Sequence, residues 1–317
     1  MLRPVSGLFW LLGRFRKTLI VNNLESPQSK VPVIVVGNIT LGGTGKTPLL
    51  MALVKQLQQA GMKPGVISRG YGRQSQEAIV LASPSSTASD LGDEPYMIYH
   101  TSDCPLAVGR DRNAVLNALL ASHDCDVILS DDGLQHYRLP RQLEIAVVDG
   151  SRGLGNHLCL PAGPLREPPS RLKEVDFVVV NGEARDQRPL PVSTLYGMTL
   201  VPERWHAVDG KGEPRPLSAF KGENPLQAIA GIGNPQRFFD TLHNLGLHFE
   251  ARAFADHHNY QATDLPADST VLMTGKDAVK CAAFASKHWW YLAVSAHLPD
   301  PFWAAFLAEV RRLQSDN

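Results

Sequence analysis

The chain has 317 residues, enough for two hydrophobic cores, and its 31 basic and 31 acidic side chains cancel. That balance excludes binding to nucleic acid through a global positive field. The four cysteines, Cys104, Cys125, Cys159 and Cys281, are isolated in sequence, which speaks against a disulfide frame or a C-x-x-C metal site and for buried thiols in a reducing compartment.

Charge is uneven at the start of the chain. Over the first thirty residues Arg3, Arg14, Arg16, Lys17 and Lys30 face only Glu25. On a helix over 8–22, Leu8, Leu11, Leu12, Phe15 and Leu19 fall on one stripe, with Arg14, Arg16 and Lys17 around the rest. The apolar run is shorter than the roughly 20 residues a bilayer span takes. Neither the charge order nor the cleavage site of a signal peptide is present. Two readings stand: a helix packed on the protein's own core, or an interfacial helix that sinks its Leu, Phe and Trp10 among acyl chains with its basic groups at the phosphates.

Residues 31–50, VPVIVVGNITLGGTGKTPLL, come next. A β-branched run from Val31 to Val36 feeds a glycine-rich turn that ends in Gly45-Lys46-Thr47 as a helical pattern begins. The segment matches the phosphate-loop pattern G-x-x-x-x-G-K-[ST] except that Thr40 replaces the first glycine. Backbone amides of Thr40, Leu41, Gly42, Gly43, Thr44 and Gly45 are expected to cradle phosphates, Lys46 to reach the outer ones and Thr47 to ligate Mg²⁺. Leu41 stands where the deviant loops of dimeric ATPases carry lysine. No Asn-Lys-x-Asp follows the late strand at Phe177–Val180, where the chain reads Asn181-Gly182-Glu183, so adenine is favoured over guanine by default.

From residue 31 to about 182 short apolar runs alternate with helical stretches. Strands are predicted at Val33–Val36, Gly65–Ile67, Ala78–Leu81, Leu106–Val108, Val127–Leu129, Ile145–Val148 and Phe177–Val180, and helices at Thr47–Ala60, Asp93–His100 and Arg110–Ser122. This predicts an α/β protein with a mostly parallel, P-loop NTPase-like sheet covered on both faces. The polar loop SPSSTASD at 83–90 is either a lid or, preferably, a plain surface loop. Short strands are predicted near Leu195–Leu200 and Trp205–Val208. After them come Ala228–Ala230 with GIGNP and a helix, a strand-like Phe249–Phe254, Val271–Met273 with a helix, and Trp290–Val294 with a final helix from Pro301. The expected organisation is a helix over 1–22, a P-loop domain over 23–190, a β linker over 191–225 and a smaller α/β domain over 226–317.

Several polar groups carry chemistry on this frame. Asp131 and Asp132 close the strand Val127–Leu129, where P-loop folds place the acid that holds Mg²⁺. Asp93 and Glu94 begin a helix, where acids favour the dipole or, beside a γ-phosphate, provide a general base. Asp256-His257-His258-Asn259-Tyr260 lacks the spacing of a metal site and suits a His–Asp pair for proton transfer. Arg69, Arg110 and Arg166 stand in turns at strand ends, with Gln135 and His136 after the acidic pair. Together they are candidate contacts for a polyanionic substrate.

The segments VGNITLGGTGKTP, GVISRGYGR, GDEPYM, VGRDR, DVILSDDGLQHYRL, PAGPLREPPSRL, AIAGIGNPQRFF, FADHHNY and MTGKDAVKC run in order over nearly the whole chain and together resemble the tetraacyldisaccharide 4′-kinase (lipid A 4′-kinase) family of Gram-negative bacteria. One departure is Gly275, where the family usually carries an acid in a T-E-K-D segment. The resemblance implies transfer of the γ-phosphate of ATP, with Mg²⁺, to the 4′-hydroxyl of a tetraacylated glucosamine disaccharide 1-phosphate, forming lipid IVA. It implies two α/β/α domains joined by a two-stranded linker, with ATP in the cleft, and an N-terminal helix on the cytoplasmic face of the inner membrane. It also implies Asp93 as base with a His of DHH, His257 favoured over His258, and Asp131 or Asp132, with Glu94, near the metal. No nucleic acid or protein partner is expected. A P-loop ATPase switch responding to a protein is the alternative class, and ATP turnover with and without lipid acceptor separates the two.

Overall fold

The computed structural model describes residues 2–23, 29–184, 188–223, 225–256 and 258–316. It opens with α1 (Arg3–Asn23), a helix whose apolar side chains stand in solvent. Leu8, Leu11, Leu12, Phe15 and Leu19 are all exposed, Phe15 at 62%. Among the described side chains of α1 only Ser6 is buried, its hydroxyl donating to the Cys159 carbonyl at 2.6 Å. Lys17 pairs with Glu174. The reading of this helix as packed on the protein's own core therefore fails, because its apolar stripe meets no core. No described helix is long and apolar enough to cross a membrane.

The first sheet grows from Val- and Ile-rich runs, as expected for strands covered on both faces. Along the chain come β1 (Val33–Gly37), α2 (Lys46–Gln59), β2 (Pro64–Ser68), β3 (Ile79–Leu81), α3 (Ala88–Leu91), α4 (Asp93–Ser102), β4 (Leu106–Gly109), α5 (Arg112–Ser122), β5 (Val127–Asp131), β6 (Leu143–Asp149) and β7 (Phe177–Asn181). Their order across the sheet is β3-β4-β2-β5-β1-β6-β7, parallel apart from the edge strand β3. Side chains alternate between two cores. Ile34 and Val36 share one with Leu49, Leu53 and Leu57 of α2, and Val33 and Val35 share the other with Val115 and Leu119 of α5. The 83–90 stretch is a turn that leads into α3, whose start is fixed by a Thr87–Asp90 capping box.

The two short strands expected in the connector are one long strand, β8 (Tyr196–Ala207). Its start pairs parallel with β7, and from Thr199 onward it pairs antiparallel with β12 (Trp289–His297), so this ribbon joins the first sheet to a second. The second sheet runs β12-β11-β9-β10, with β9 (Leu226–Ala230), β10 (Glu250–Ala253) and β11 (Thr270–Thr274) all parallel. Helix α6 (Pro235–Asn244) packs Phe239 and Leu242 on one face with Trp205 and Trp290, while α7 (Gly275–Cys281) lies on the other beside Tyr260 and Trp289. The last helix, α8 (Asp300–Ser315), is expected in the smaller C-terminal domain. It returns instead to the first core, where Phe302, Phe306 and Val310 join Leu49, Leu53 and Phe177. Hydrophobic faces are shared by shape and area, which periodicity along one segment does not encode.

Candidate active site

The glycine-rich loop lies between β1 and α2, as the spacing predicts. Gly45, at φ +95°, is the residue before α2, and a Cβ there would meet the Asn181 amide at 2.3 Å. Only glycine fits both the angle and the space. Asn181 in turn donates to the Thr44 carbonyl at 2.9 Å and holds the loop from the end of β7. Lys46 opens α2 with its ammonium 3.4 Å from Asp132 and 3.3 Å from the Asn38 side-chain oxygen, and Thr47 is buried beside it.

Asp131 closes β5, next to β1 and in register with Val36, and Asp132 follows in the turn. Their side chains diverge. Asp132, at φ +46°, faces Lys46 and Arg166, the latter at 3.1 Å. Asp131 points inward, where it accepts from Ser68 at 3.1 Å, and its other oxygen is buried without a hydrogen-bond partner. Burial, then the charges of Glu94 and Asp132, push the Asp131 carboxyl up to about 7. An orphaned buried carboxylate oxygen repelled by two neighbouring acids is chemistry that a hydrated divalent cation would relieve.

Asp93 and Glu94 begin α4 after Gly92, whose φ is +90° and where a Cβ would meet the Tyr71 carbonyl oxygen at 2.6 Å. Facing them is α7. Lys276 lies 2.8 Å from Glu94 and 3.7 Å from Asp256, and Lys280 lies 3.9 Å from Asp93. Burial pushes the Glu94 carboxyl up, but Lys276, by charge and hydrogen bond, and Lys46 outweigh it and hold Glu94 below its usual range. A second crossing lies at the phosphate loop, where a Cβ on Gly233 would come within 2.5 Å of the Gly43 nitrogen. The GIGNP loop and the phosphate loop are thus in backbone contact. Glu94 thus lies within reach of the charges of Lys46 and Asp132, with Asp93 beside it, where helices and loops of the two sheets meet.

His257 lies outside the described residues. His258 is turned toward Asp264, 3.2 Å away, and packs tilted against Phe254 with centroids 4.6 Å apart. Of the proposed substrate contacts, Arg69 and Arg110 are exposed at strand ends. Arg166 pairs with Asp132. Gln135 donates to the Asn38 carbonyl at 3.0 Å and to Glu167 at 2.7 Å, so its amide supports the turn. Burial and the charges of Arg112 and Arg141 push the His136 imidazole down to about 4, leaving it neutral.

Sequence reasoning missed several groups. Arg112, within the VGRDR turn, is buried and donates to the Asp131 carbonyl at 3.0 Å, while Asp111 caps α5 by accepting from Asn113 and Ala114. Lys276 and Lys280 were visible only as letters of MTGKDAVKC, since nothing in their spacing says which helix they face. Arg152, from the turn after β6, and Arg237, from the first turn of α6, converge on Asp149 at 3.1 and 2.9 Å.

A parallel sheet with this loop, a Gly-Lys-Thr helix start and an acidic pair on the neighbouring strand defines a P-loop phosphotransferase architecture. The model of the tetraacyldisaccharide-1-P 4′-kinase family matches residues 1–311, and the chain belongs to that family. A tetraacyldisaccharide 4′-kinase of Pseudomonas syringae pv. tomato is 45% identical over 316 residues, covering 99% of this chain and 94% of the relative. One from Pasteurella multocida is 46% identical over 313 residues, covering 96% and 93%. The crystal structure of LpxK from Aquifex aeolicus, described as an "apo" form in complex with ATP, superposes with a TM-score of 0.82 at 27% identity over 98% of both chains.

Proposed function

We propose that this protein is an ATP-dependent kinase that phosphorylates the 4′-hydroxyl of a tetraacylated glucosamine disaccharide 1-phosphate, giving lipid IVA. The observation that supports this most is the convergence on one cleft of Lys46, the Asp131–Asp132 pair and the Asp93–Glu94 helix start in a chain matched over its length by one kinase family. Residues 23–190 carry the nucleotide loop, and 226 onward supply the opposite wall through α7 and the GIGNP loop, with the β8–β12 ribbon between them.

In this reading the amides from Thr40 to Lys46 bind the phosphates, and Lys46 neutralises the outer ones as Asp132 releases it. Thr47, Asp131 or Asp132, and Glu94 hold Mg²⁺, which when bound supplies positive charge to the phosphate oxygens. Asp93 accepts the proton of the acceptor hydroxyl as its oxygen attacks, with His257 as partner. Arg69, Arg110, Arg166, Gln135 and His136 line the acceptor side. The exposed apolar stripe of α1 lies in the cytoplasmic leaflet of the inner membrane, where a four-chain lipid is met without extracting it at about 0.8 kcal/mol per CH₂.

Radiolabelled ATP with the monophosphorylated glycolipid in detergent tests the proposal. Label on the 4′ position, abolished in Asp93→Asn with ATP binding retained, is the expected result. ATP hydrolysis that leaves the glycolipid unlabelled would refute it.

A further inference from the structure

We infer that Arg152 is an arginine finger supplied in cis, a catalytic residue whose guanidinium stabilises the charge on the γ-phosphoryl group during transfer. The inference rests on the kinase reading above.

Arg152 lies in the turn after β6. Its anchor is Asp149, buried at the end of that strand, which accepts from the Ser151 nitrogen at 3.0 Å, the Ser151 hydroxyl at 2.6 Å, Arg152 Nε at 3.1 Å and Arg237 Nη2 at 2.9 Å. Burial alone would raise the Asp149 carboxyl. The Ser151 hydrogen bond and the charges of Arg237 and Arg152 outweigh it and keep the anchor ionised. With Nε committed, Nη2 faces the phosphate loop and Nη1 lies between that loop and the GIGNP loop. Nη2 donates to the Gly43 carbonyl, and Nη1 lies 3.5 Å from the Gly233 carbonyl across the cleft. A Cβ on Gly42 would sit 2.8 Å from Nη1, so the loop leaves that space to the guanidinium.

One backbone carbonyl each is a modest partner for the two terminal nitrogens, which carry four of the five donors of a permanently charged group. Phosphate oxygens match its fork far better. Partly exposed at the rim of the loop and held by a rigid carboxylate, the guanidinium is placed to exchange those carbonyls for oxygens of the transferred group. In the step, the acceptor oxygen forms a bond to the γ-phosphorus, the bond to the β-phosphate oxygen breaks, and ADP leaves with that electron pair. The hydroxyl proton goes to Asp93. Arg152 keeps all its protons and contributes N–H donors and charge to the phosphoryl oxygens.

The test uses the full chain with Arg152→Ala and Arg152→Lys, measured by glycolipid phosphorylation and by the affinity for Mg²⁺·ADP with and without aluminium fluoride, which mimics the transferred group. Arginine fingers contribute about 10³-fold or more to kcat. Arg152→Ala should lose about that factor, keep its ADP affinity within about threefold, and lose the tightening that aluminium fluoride gives the wild type. Arg152→Lys, which keeps the charge and apolar stem, should remain at least about tenfold impaired because an ammonium lacks the fork. It carries the measurement if the alanine variant does not fold. A folded variant with kcat within about threefold of wild type, or a loss confined to the KM for ATP with aluminium-fluoride tightening intact, overturns the assignment. If wild type itself left the glycolipid unlabelled, the kinase reading would fall, and the aluminium-fluoride arm would still decide Arg152.

Discussion

Asp277 offers a sharp test of how the second sheet is tied to the cleft. It is fully buried in α7, and its carboxylate joins separate segments. The Gly231 nitrogen donates to both oxygens at 3.2 Å, the Tyr260 hydroxyl donates to one at 3.1 Å, and the Thr274 hydroxyl donates to the other at 2.6 Å. In Asp277→Ala these donors lose their acceptor. Thr274 is half-exposed and can turn to water, but Gly231 and Tyr260 are buried and cannot. At about 1–3 kcal/mol for each unsatisfied buried donor, the pair costs about 2–6 kcal/mol. Burial already pushes the Asp277 carboxyl up, so removing it returns part of this, and the expected net loss is about 3 kcal/mol. At about 2–4 °C per kcal/mol the melting temperature should fall by about 6–12 °C in circular dichroism. Asp277→Asn keeps the shape and one acceptor oxygen and should lose about half as much. Glycolipid phosphorylation should fall in both variants, because Asp277 shares α7 with Lys276 and Lys280. An alanine variant melting within about 1 °C of wild type, or an asparagine variant less stable than alanine, would refute the reasoning.

Lys46→Ala should abolish phosphoryl transfer while melting close to wild type, since the ammonium faces Asp132 and Asn38 and no core; normal turnover in the folded variant would refute the phosphate-loop assignment. Leu11→Glu with Phe15→Glu should release the protein from anionic vesicles in a flotation assay and raise the KM for lipid with ATP affinity unchanged. Because both side chains are exposed, unfolding of that double variant would contradict the structure. His136 supplies a pH test. Its imidazole is pushed down to about 4, so between about pH 6.5 and 4 the unfolded chain takes a proton that the native state refuses, and stability is lost as pH falls. Asn in its place should flatten the melting temperature over that window relative to wild type, and equal slopes would show that His136 titrates normally.

Local rules made much of the frame legible. A β-branched run, a glycine-rich turn and Gly-Lys-Thr announce a strand, a phosphate loop and a helix, because each is a short-range constraint on φ, ψ and hydrogen bonding. The pairing of Asp131 with the loop strand followed from the same logic, as acids at a strand end next to β1 have one place to go. The Pro301 helix start was equally local, yet where that helix packs was not. Its Phe302 and Phe306 fill a core more than a hundred residues away in sequence.

The amino-acid sequence by itself determined the class of fold, the nucleotide loop and the family, since all three are written in contiguous segments. Tertiary structure alone decided that α1 keeps its apolar stripe in solvent, that β8 and β12 form one ribbon between the sheets, and that α8 returns to the first core. It also decided that Lys276 and Lys280 face Glu94 and Asp93, and that Arg152 reaches the phosphate loop. Each of these depends on which surfaces meet across the chain, and a side chain's neighbours at long separation are set by packing and charge in three dimensions, which no local spacing records.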